Sequence, residues 1–247
     1  MNTIRRALGQ PGLRLLLGAA LISVTGDWIL RVGLAYYIYV LTGSTLASAV
    51  MLLASFVPQI VLSSLAGVFA DRWDSKRTMI ITNLLLAAGL LPLLAVHRAS
   101  QVWIIYLVVT AESCVQQFFT PAQQSVIPVL VADEHLVTAN ALGGQMNDVS
   151  RLAGSAAGGV LAAAGGISAL TLTDLASFLV AAALLARLPL ARRESAAAPT
   201  TTLRERLAGL RGEWTDGLRV AVREHTLRVV LIFLAVIAGA GVETTGR

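Results

Sequence analysis

Residues 46–77 read LASAVMLLASFVPQIVLSSLAGVFADRWDSKR, and this stretch decides the fold. Its first 25 residues carry no charged side chain, whereas the seven that begin at Asp71 carry five. A helix that crosses a bilayer needs about 20 mostly apolar residues. The stretch therefore predicts a membrane-spanning helix that ends in a charged loop.

The composition of the whole chain is also that of a membrane protein. Of the 247 residues, 56% are hydrophobic and only 13% are charged, against roughly a quarter charged in ordinary globular proteins. A mean hydropathy of +0.74 excludes a soluble enzyme, a disordered chain and a nucleic-acid-binding domain. Nine arginines lie between residues 187 and 228, so the basic character is local and suits anionic lipid headgroups.

We predict neither a metal site nor a cofactor. Cys114 is the single cysteine, and the histidines are scattered over loops and helix ends at positions 97, 135 and 225. The chain contains no phosphate-binding loop and no Ser/His/Asp set placed for hydrolysis. We therefore do not expect an enzyme.

Glycine, proline and charged residues divide the chain into six complete spans and the beginning of a seventh. We expect residues 1–188 to form an all-α six-helix transmembrane bundle, residues 189–226 a cytoplasmic linker, and residues 227–247 the start of the seventh helix. The short connection at Gly165 and Gly166 makes the fifth and sixth helices antiparallel neighbours. The predicted spans are residues 13–41, 46–70, 78–97, 101–121, 138–164, 168–188 and 227–242.

Two connections are expected to contain helical segments. The fourth span should end at Pro121, followed by a short interfacial segment that contains Pro128. In the linker, Thr202 and Glu205 form a capping box ahead of leucines that recur every three or four residues beside arginines. This pattern fits a helix lying on the cytoplasmic membrane surface, and it also fits a solvated linker helix that packs on the bundle.

The basic residues predict the orientation, because Lys and Arg that flank a span stay in the cytoplasm. With the N-terminus inside, fifteen basic residues fall on the cytoplasmic side, and only Arg98 and Arg247 fall on the other. We therefore expect a multi-pass protein with a cytoplasmic N-terminus.

Two pairs of opposite charge lie inside the predicted spans. A charged side chain costs roughly 2.5 to 3.5 kcal/mol at a helix centre and persists mainly where it faces protein or water. Asp27 and Arg31 are four residues apart, and Asp148 and Arg151 are three apart. Each pair can neutralise itself on one helix face, so a structural ion pair and a functional role inside the membrane both fit.

Two further acids, Glu112 and Asp174, have no basic partner on their own helix. Burial without a counter-ion favours the protonated form of a carboxyl group, and acids of this kind are candidates for a functional site. Glu112 is the first choice for a proton site or a cationic-substrate site. Asn140, Asn147 and Arg151 follow at intervals of seven and four, so we expect this polar face of the fifth span to line a cavity.

The charged loop resembles the motif Gly-x-x-x-Asp-Arg-x-Gly-Arg-Lys, which follows the second helix of each half in transporters of the major facilitator superfamily. Asp74 stands in the second glycine position, a departure that is typical of the drug-exporter branch with the macrolide efflux proteins and the enterobactin exporter. The resemblance implies that this loop, together with Arg77, controls conformational switching through charged contacts. The matching residues are Gly67, Asp71, Arg72 and Lys76.

Other short motifs resemble the same branch, in the right order, and the resemblance covers about residues 12–240. The fifth span also carries Gly154, Gly158 and Gly159, a stripe that lets helix backbones touch in lipid. It resembles the superfamily's antiporter motif, so close packing and an antiporter role both fit. The other motifs are Gly26-Asp27-Trp28, Leu41-Thr42-Gly43-Ser44, Phe119-Thr120-Pro121-Ala122 and Ala139-Asn140-Ala141-Leu142.

The resemblance implies a secondary active transporter of the bacterial cytoplasmic (inner) membrane. We expect proton-coupled efflux of amphipathic drugs, macrolides or siderophores by alternating access. The expected partners are the lipid bilayer, a small amphipathic substrate, protons, and a C-terminal half or a second copy of the chain. Since such transporters have about twelve spans, this chain corresponds to roughly the N-terminal half. The alternative is a truncated or degenerate half-transporter with no transport activity of its own.

Overall fold

The computed structural model describes residues 9–70 and 74–190, with the side chains of all but residue 57 and residues 60–70. Every regular element within these ranges is helical. Short 3-10 helices occupy connections at Leu91–Ala95, Ala99–Gln101 and Asp133–His135. The α-helices, numbered in chain order, are α1 (Pro11–Thr42), α2 (Thr45–Ala70), α3 (Ser75–Gly89), α4 (Val102–Leu130) and α5 (Leu136–Ala186).

Four helical stretches of the described chain are long and apolar enough to cross a membrane, which confirms the all-helical membrane fold. A shorter apolar stretch, Thr45–Phe56, begins α2. The count of six spans stays a prediction. The four stretches are Pro11–Thr42, Ser75–Ala95, Ala99–Leu130 and Asp133–Ala186.

The helix ends follow from local sequence. Pro11 begins α1, where its fixed φ suits the first helical turn and its missing N–H is not needed. Gly43 ends α1 in the left-handed conformation, with φ 67, and its N–H donates to the carbonyl oxygen of Tyr39. Asp74 caps α3, since its Oδ1 accepts a hydrogen bond of 2.9 Å from the backbone N–H of Arg77.

The long helix α5 is divided in two by Gly166, at which φ is 59 and ψ is −156. Only glycine adopts this region of backbone space readily. We call residues 136–165 the first arm of α5 and residues 167–186 the second arm. The break lies where the sequence predicted the turn between the fifth and sixth spans.

The first arm packs alongside α1 and runs parallel to it. Ser150 Oγ donates to the carbonyl oxygen of Leu21 (3.2 Å), and a Cβ added to Gly158 would lie 2.6 Å from the carbonyl oxygen of Ile29. Residue numbers therefore rise together along the two helices.

The second arm packs on α1 in the opposite direction. A Cβ added to Gly26 would collide with Ser177, whereas one added to Gly33 would collide with Leu170. Residue numbers fall along the second arm as they rise along α1, so the second arm is antiparallel to α1. Because the first arm is parallel to α1, the two arms are antiparallel to each other, as the short Gly-Gly connection predicted. Helix α1 thus lies between the two arms, while α2 packs on α4, and α3 packs on α4 and α5.

Helix α4 is longer than the sequence predicted. It continues through Pro121 and Pro128 to Leu130, so the predicted end at Pro121 is wrong. Proline is tolerated inside membrane helices and is more frequent there than in helices of soluble proteins. Only the 3-10 turn Asp133–His135 remains of the predicted interfacial segment.

Several predictions lie outside the described residues. They concern Asp71 and Arg72 of the loop, the linker helix with Thr202 and Glu205, and the seventh span at residues 227–242.

Candidate functional site

Three acidic side chains from different helices meet in the interior. Asp27 comes from the middle of α1, Glu112 from α4, and Asp174 from the second arm of α5; one carboxylate oxygen of each lies within 4.8 Å of the others. We call these residues the acid trio. The sequence singled out all three but did not predict that they meet.

The trio is enclosed by protein. Asp174 is fully buried, and Asp27 and Glu112 are half-buried. A Cβ on Gly26 would collide with the Asp174 carboxylate and with Ser177, so glycine at this position lets the acid approach α1. A drug-sized molecule cannot reach Asp174, whereas a proton or a small ion can occupy the site.

Few hydrogen bonds satisfy the trio. Ser177 Oγ lies 2.9 Å from Asp174 Oδ1, and Gln116 Nε2 donates a long hydrogen bond of 3.5 Å to Asp27 Oδ2. Within the described part of the chain, buried Asp174 Oδ2 and Glu112 Oε1 have no hydrogen-bond partner. These oxygens are free to share protons or to accept a cation.

Arg31 is the positive charge that acts on all three acids. Its guanidinium nevertheless makes no ion pair within 4.0 Å of Asp27 in the described structure. The predicted self-contained Asp27–Arg31 pair is therefore not formed, because the helices turn the Asp27 carboxyl towards Glu112 and Asp174. Among the residues that the structure describes, the charge of Arg31 alone opposes the charges of the three acids.

The second predicted pair is formed. Arg151 Nη2 lies 3.4 Å from Asp148 Oδ1, and both side chains are more than half exposed. This pair lies on an exposed face of the first arm, and it is not part of the acid trio. Its place in a transport pathway stays a prediction.

A cavity of about 230 Å³ lies between α1, α4 and the first arm of α5. Asn140 and Asn147 line it, whereas Arg151 does not. Thus the structure places two of the three residues of the predicted polar face at this cavity. The full lining is Leu17, Ala20, Leu21, Val24, Thr120, Gln123, Gln124, Ile127, Asn140, Gly143, Gly144, Met146, Asn147 and Ser150.

One stripe of α4 connects the acid trio with the cavity. Glu112 and Gln116 belong to or contact the trio, while Thr120 and Gln123 line the cavity. Their spacing of four, four and three places them on one helix face. Sequence reasoning missed Gln116, Gln123 and Ser177; the polar period along α4 was the signal that could have found the first two.

The glycine stripe packs against α1 at two of its three positions. A Cβ on Gly154 would lie 2.7 Å from the carbonyl oxygen of Thr25, and one on Gly158 would lie 2.6 Å from that of Ile29. Gly159 has nothing within 4 Å of such a Cβ, so the packing role predicted for it is not seen.

The structure describes the charged loop from Asp74 onward. Lys76 Nζ donates a hydrogen bond of 2.7 Å to the carbonyl oxygen of Leu188, just beyond the C-terminus of α5, where a positive charge complements the helix dipole. Arg77 is exposed. Asp74 is the cap of α3, a role that the motif comparison did not predict.

The sequence matches, over residues 6–243, the model of a protein family described as transmembrane secretion effector. The MFS-type transporter YfiS of Bacillus subtilis (strain 168), which is described as uncharacterized, is 28% identical over 202 residues, covering 81% of this chain and 47% of that protein. Macrolide efflux protein A of Streptococcus pyogenes is 27% identical over 162 residues (65% and 40%). The Enterococcus faecalis protein of that name is 29% identical over 143 residues (56% and 44%). The chain spans less than half the length of these relatives.

Proposed function

Because the chain belongs to the transmembrane secretion effectors of the major facilitator superfamily, which are transporters and not enzymes, we propose that it serves in proton-coupled efflux of amphipathic molecules. It corresponds to roughly the N-terminal half of an alternating-access transporter. The observation that carries the proposal is the convergence of Asp27, Glu112 and Asp174 in the interior.

Three ionised carboxylates at this spacing would repel one another strongly. Two unit charges about 4 Å apart interact by about 4 kcal/mol at an effective dielectric constant of about 20. Arg31 offsets one negative charge, which leaves two in excess. A proton shared within the trio relieves this repulsion, and its loss restores it.

Carboxylate oxygens are also ligands for hard cations, but such ions take about six or more oxygen ligands, and the trio brings together only three acidic side chains. A proton is therefore the occupant that we assign. Binding and release of that proton would change the charge between α1, α4 and the second arm of α5, which are the helices that supply the trio. Such a change can bias a two-state equilibrium between inward- and outward-facing forms.

The cavity and the relatives both support an amphipathic substrate. The relatives from Streptococcus pyogenes and Enterococcus faecalis carry the printed name macrolide efflux protein A, and the cavity combines apolar walls with polar side chains, as an amphipathic molecule requires. We extend the proposal to drugs, macrolides or siderophores of this kind. The Asp148–Arg151 pair and the Asn147 side chain belong to the proposed pathway.

The loop after α2 has the proposed role of a conformational switch. Lys76 already joins the start of α3 to the end of α5 through Leu188, and a charged contact at a helix end can form in one state and break in the other. Replacing Asp71 with Asn is expected to reduce transport while leaving substrate binding largely intact.

The proposal includes the membrane in which the protein lies and its orientation there. The protein would lie in the bacterial inner membrane with its N-terminus in the cytoplasm, and a C-terminal half or a second copy would complete the pathway. A half-transporter without activity of its own is the second candidate.

Export by an efflux-deficient bacterium tests both candidates. One strain expresses the chain alone, and another expresses it fused to the second half of the Bacillus relative. We expect no export from the chain alone, and macrolide export that depends on external pH from the fused protein. Glu112→Gln should abolish this pH dependence while membrane insertion is preserved.

Glu134→Gln is the matched control, since it makes the same chemical change at an exposed acid. Export by Glu112→Gln with an unchanged pH dependence would remove Glu112 from the coupling mechanism. Export by the chain alone would contradict the need for a second half and would imply a working assembly of identical chains.

A further inference from the structure

The cavity between α1, α4 and the first arm of α5 has a wall of side-chain amides. We call it the amide cavity, and its amides come from one turn of α4 and two turns of α5. A side-chain amide offers both a carbonyl acceptor and two N–H donors. The four amide residues are Gln123, Gln124, Asn140 and Asn147.

None of these four amides makes a hydrogen bond to another protein group within the described residues. By contrast, Gln117 on the same helix donates to the carbonyl oxygen of Ser113 (3.0 Å), and Asn83 donates to that of Met79 (2.8 Å). The amides of the cavity, most of which are exposed, are thus available to a ligand, whereas Gln117 and Asn83 stabilise their own helices.

The cavity lining contains no ionisable side chain among the residues that the structure describes. A charged ligand group placed here would find no counter-ion in the lining. None of the three acids of the trio lines the cavity. The exposed Asp148 and Arg151 already pair with each other at 3.4 Å.

The opposite wall of the cavity is apolar and comes from α1, through Leu17, Leu21 and Val24. A ligand that fits must therefore present hydrogen-bonding groups on one side and C–H groups on the other. The volume of about 230 Å³ is below the roughly 300 to 1,000 Å³ of sites that enclose a drug-sized ligand. It holds one ring-sized part of a larger molecule.

We propose that the amide cavity binds an uncharged, hydroxyl-rich ring, such as a sugar ring, carried by an amphipathic molecule. Hydroxyl groups both donate and accept, and so match amides that do the same, while the C–H face of the ring packs on Leu17, Leu21 and Val24. The inference deepens the proposed export function and rests on it, since the ring would belong to the exported molecule. It also means that the cavity selects against organic cations.

Calorimetric titration of the chain in lipid nanodiscs tests this, with the heat of empty nanodiscs subtracted. The probes share one tail and differ in the head group: octyl β-glucoside is neutral and hydroxylated, octyl sulfate is anionic, and octyltrimethylammonium is cationic. We expect saturable binding of the glucoside, and no binding of the charged probes beyond that of empty nanodiscs.

Asn147→Leu should weaken glucoside binding about fivefold to tenfold, as the loss of one or two hydrogen bonds predicts, and Asn140→Leu should do the same. Gln145→Leu is the matched control, because Gln145 is exposed on the same arm and does not line the cavity. Helix content by circular dichroism shows that each variant is folded.

Equal binding of the ammonium probe, or glucoside binding that neither asparagine variant changes, would overturn the inference. Because the titration needs no transport, its outcome is separate from that of the export experiment. Export without glucoside binding would remove only the cavity assignment, and glucoside binding without export would leave that assignment and remove the transport role.

Discussion

At Gly158, the space left by one missing methyl group decides whether α1 and α5 can touch. A Cβ there would lie 2.6 Å from the carbonyl oxygen of Ile29 and 3.2 Å from its Cα, and backbone atoms cannot move aside as a side chain can. Gly158→Ala should therefore lower the free energy of unfolding by about 1 to 3 kcal/mol, the range found for overpacked interiors.

Gly159→Ala provides the comparison, since nothing lies within 4 Å of a Cβ at that position. This variant should be as stable as the parent, or slightly more stable, because alanine favours a helix. Thermal unfolding in detergent measures both proteins. Equal stability of the two variants would contradict the close approach of α1 and α5.

The individual acids could be predicted from the sequence, but their meeting could not. A charge in an apolar span is visible at once, and this was true of Asp27, Glu112 and Asp174. Which acid faces which depends on the rotation and register of α1, α4 and the second arm of α5. Because Arg31 is four residues from Asp27, the sequence suggested a local ion pair. In the structure, helix packing places the Asp27 carboxylate near those of Glu112 and Asp174 instead.

At the scale of elements, the break in α5 depends on one residue. Gly166 has φ 59 and ψ −156, and a residue with a side chain pays about 1 to 3 kcal/mol for such a conformation. Gly166→Ala should lower the thermal unfolding temperature, whereas Gly18→Ala should not, since Gly18 is helical with open space around it. An unchanged unfolding temperature for Gly166→Ala would argue against this break.

Helix boundaries were predictable where the chain supplies its own signal, as Pro11, Gly43 and Gly166 do. The end of α4 was not predictable in this way. Proline ends most helices, but it is tolerated inside membrane helices. In the structure α4 continues through Pro121 to Leu130. The amide cavity depends on this continuation, since Gln123 and Gln124 lie beyond that proline.

For the whole molecule, the distribution of basic residues predicts the orientation. A reporter that is active only in the cytoplasm should be active when fused after Ser195 and inactive when fused after Arg98. The reason is that Lys and Arg flanking the spans are retained on the cytoplasmic side. The reverse result would overturn the assignment of the spans.

A proton shared by Asp27, Glu112 and Asp174 at neutral pH is the claim on which the coupling mechanism depends. Infrared spectroscopy tests it directly on the purified chain, in a detergent without ester groups, because a protonated carboxyl has its own C=O stretching band. We predict such a band at pH 7, its loss in the triple variant Asp27→Asn, Glu112→Gln, Asp174→Asn, and its retention in Glu134→Gln. A neutral-pH spectrum without the band, or a band that survives in the triple variant, would contradict the proposed coupling site.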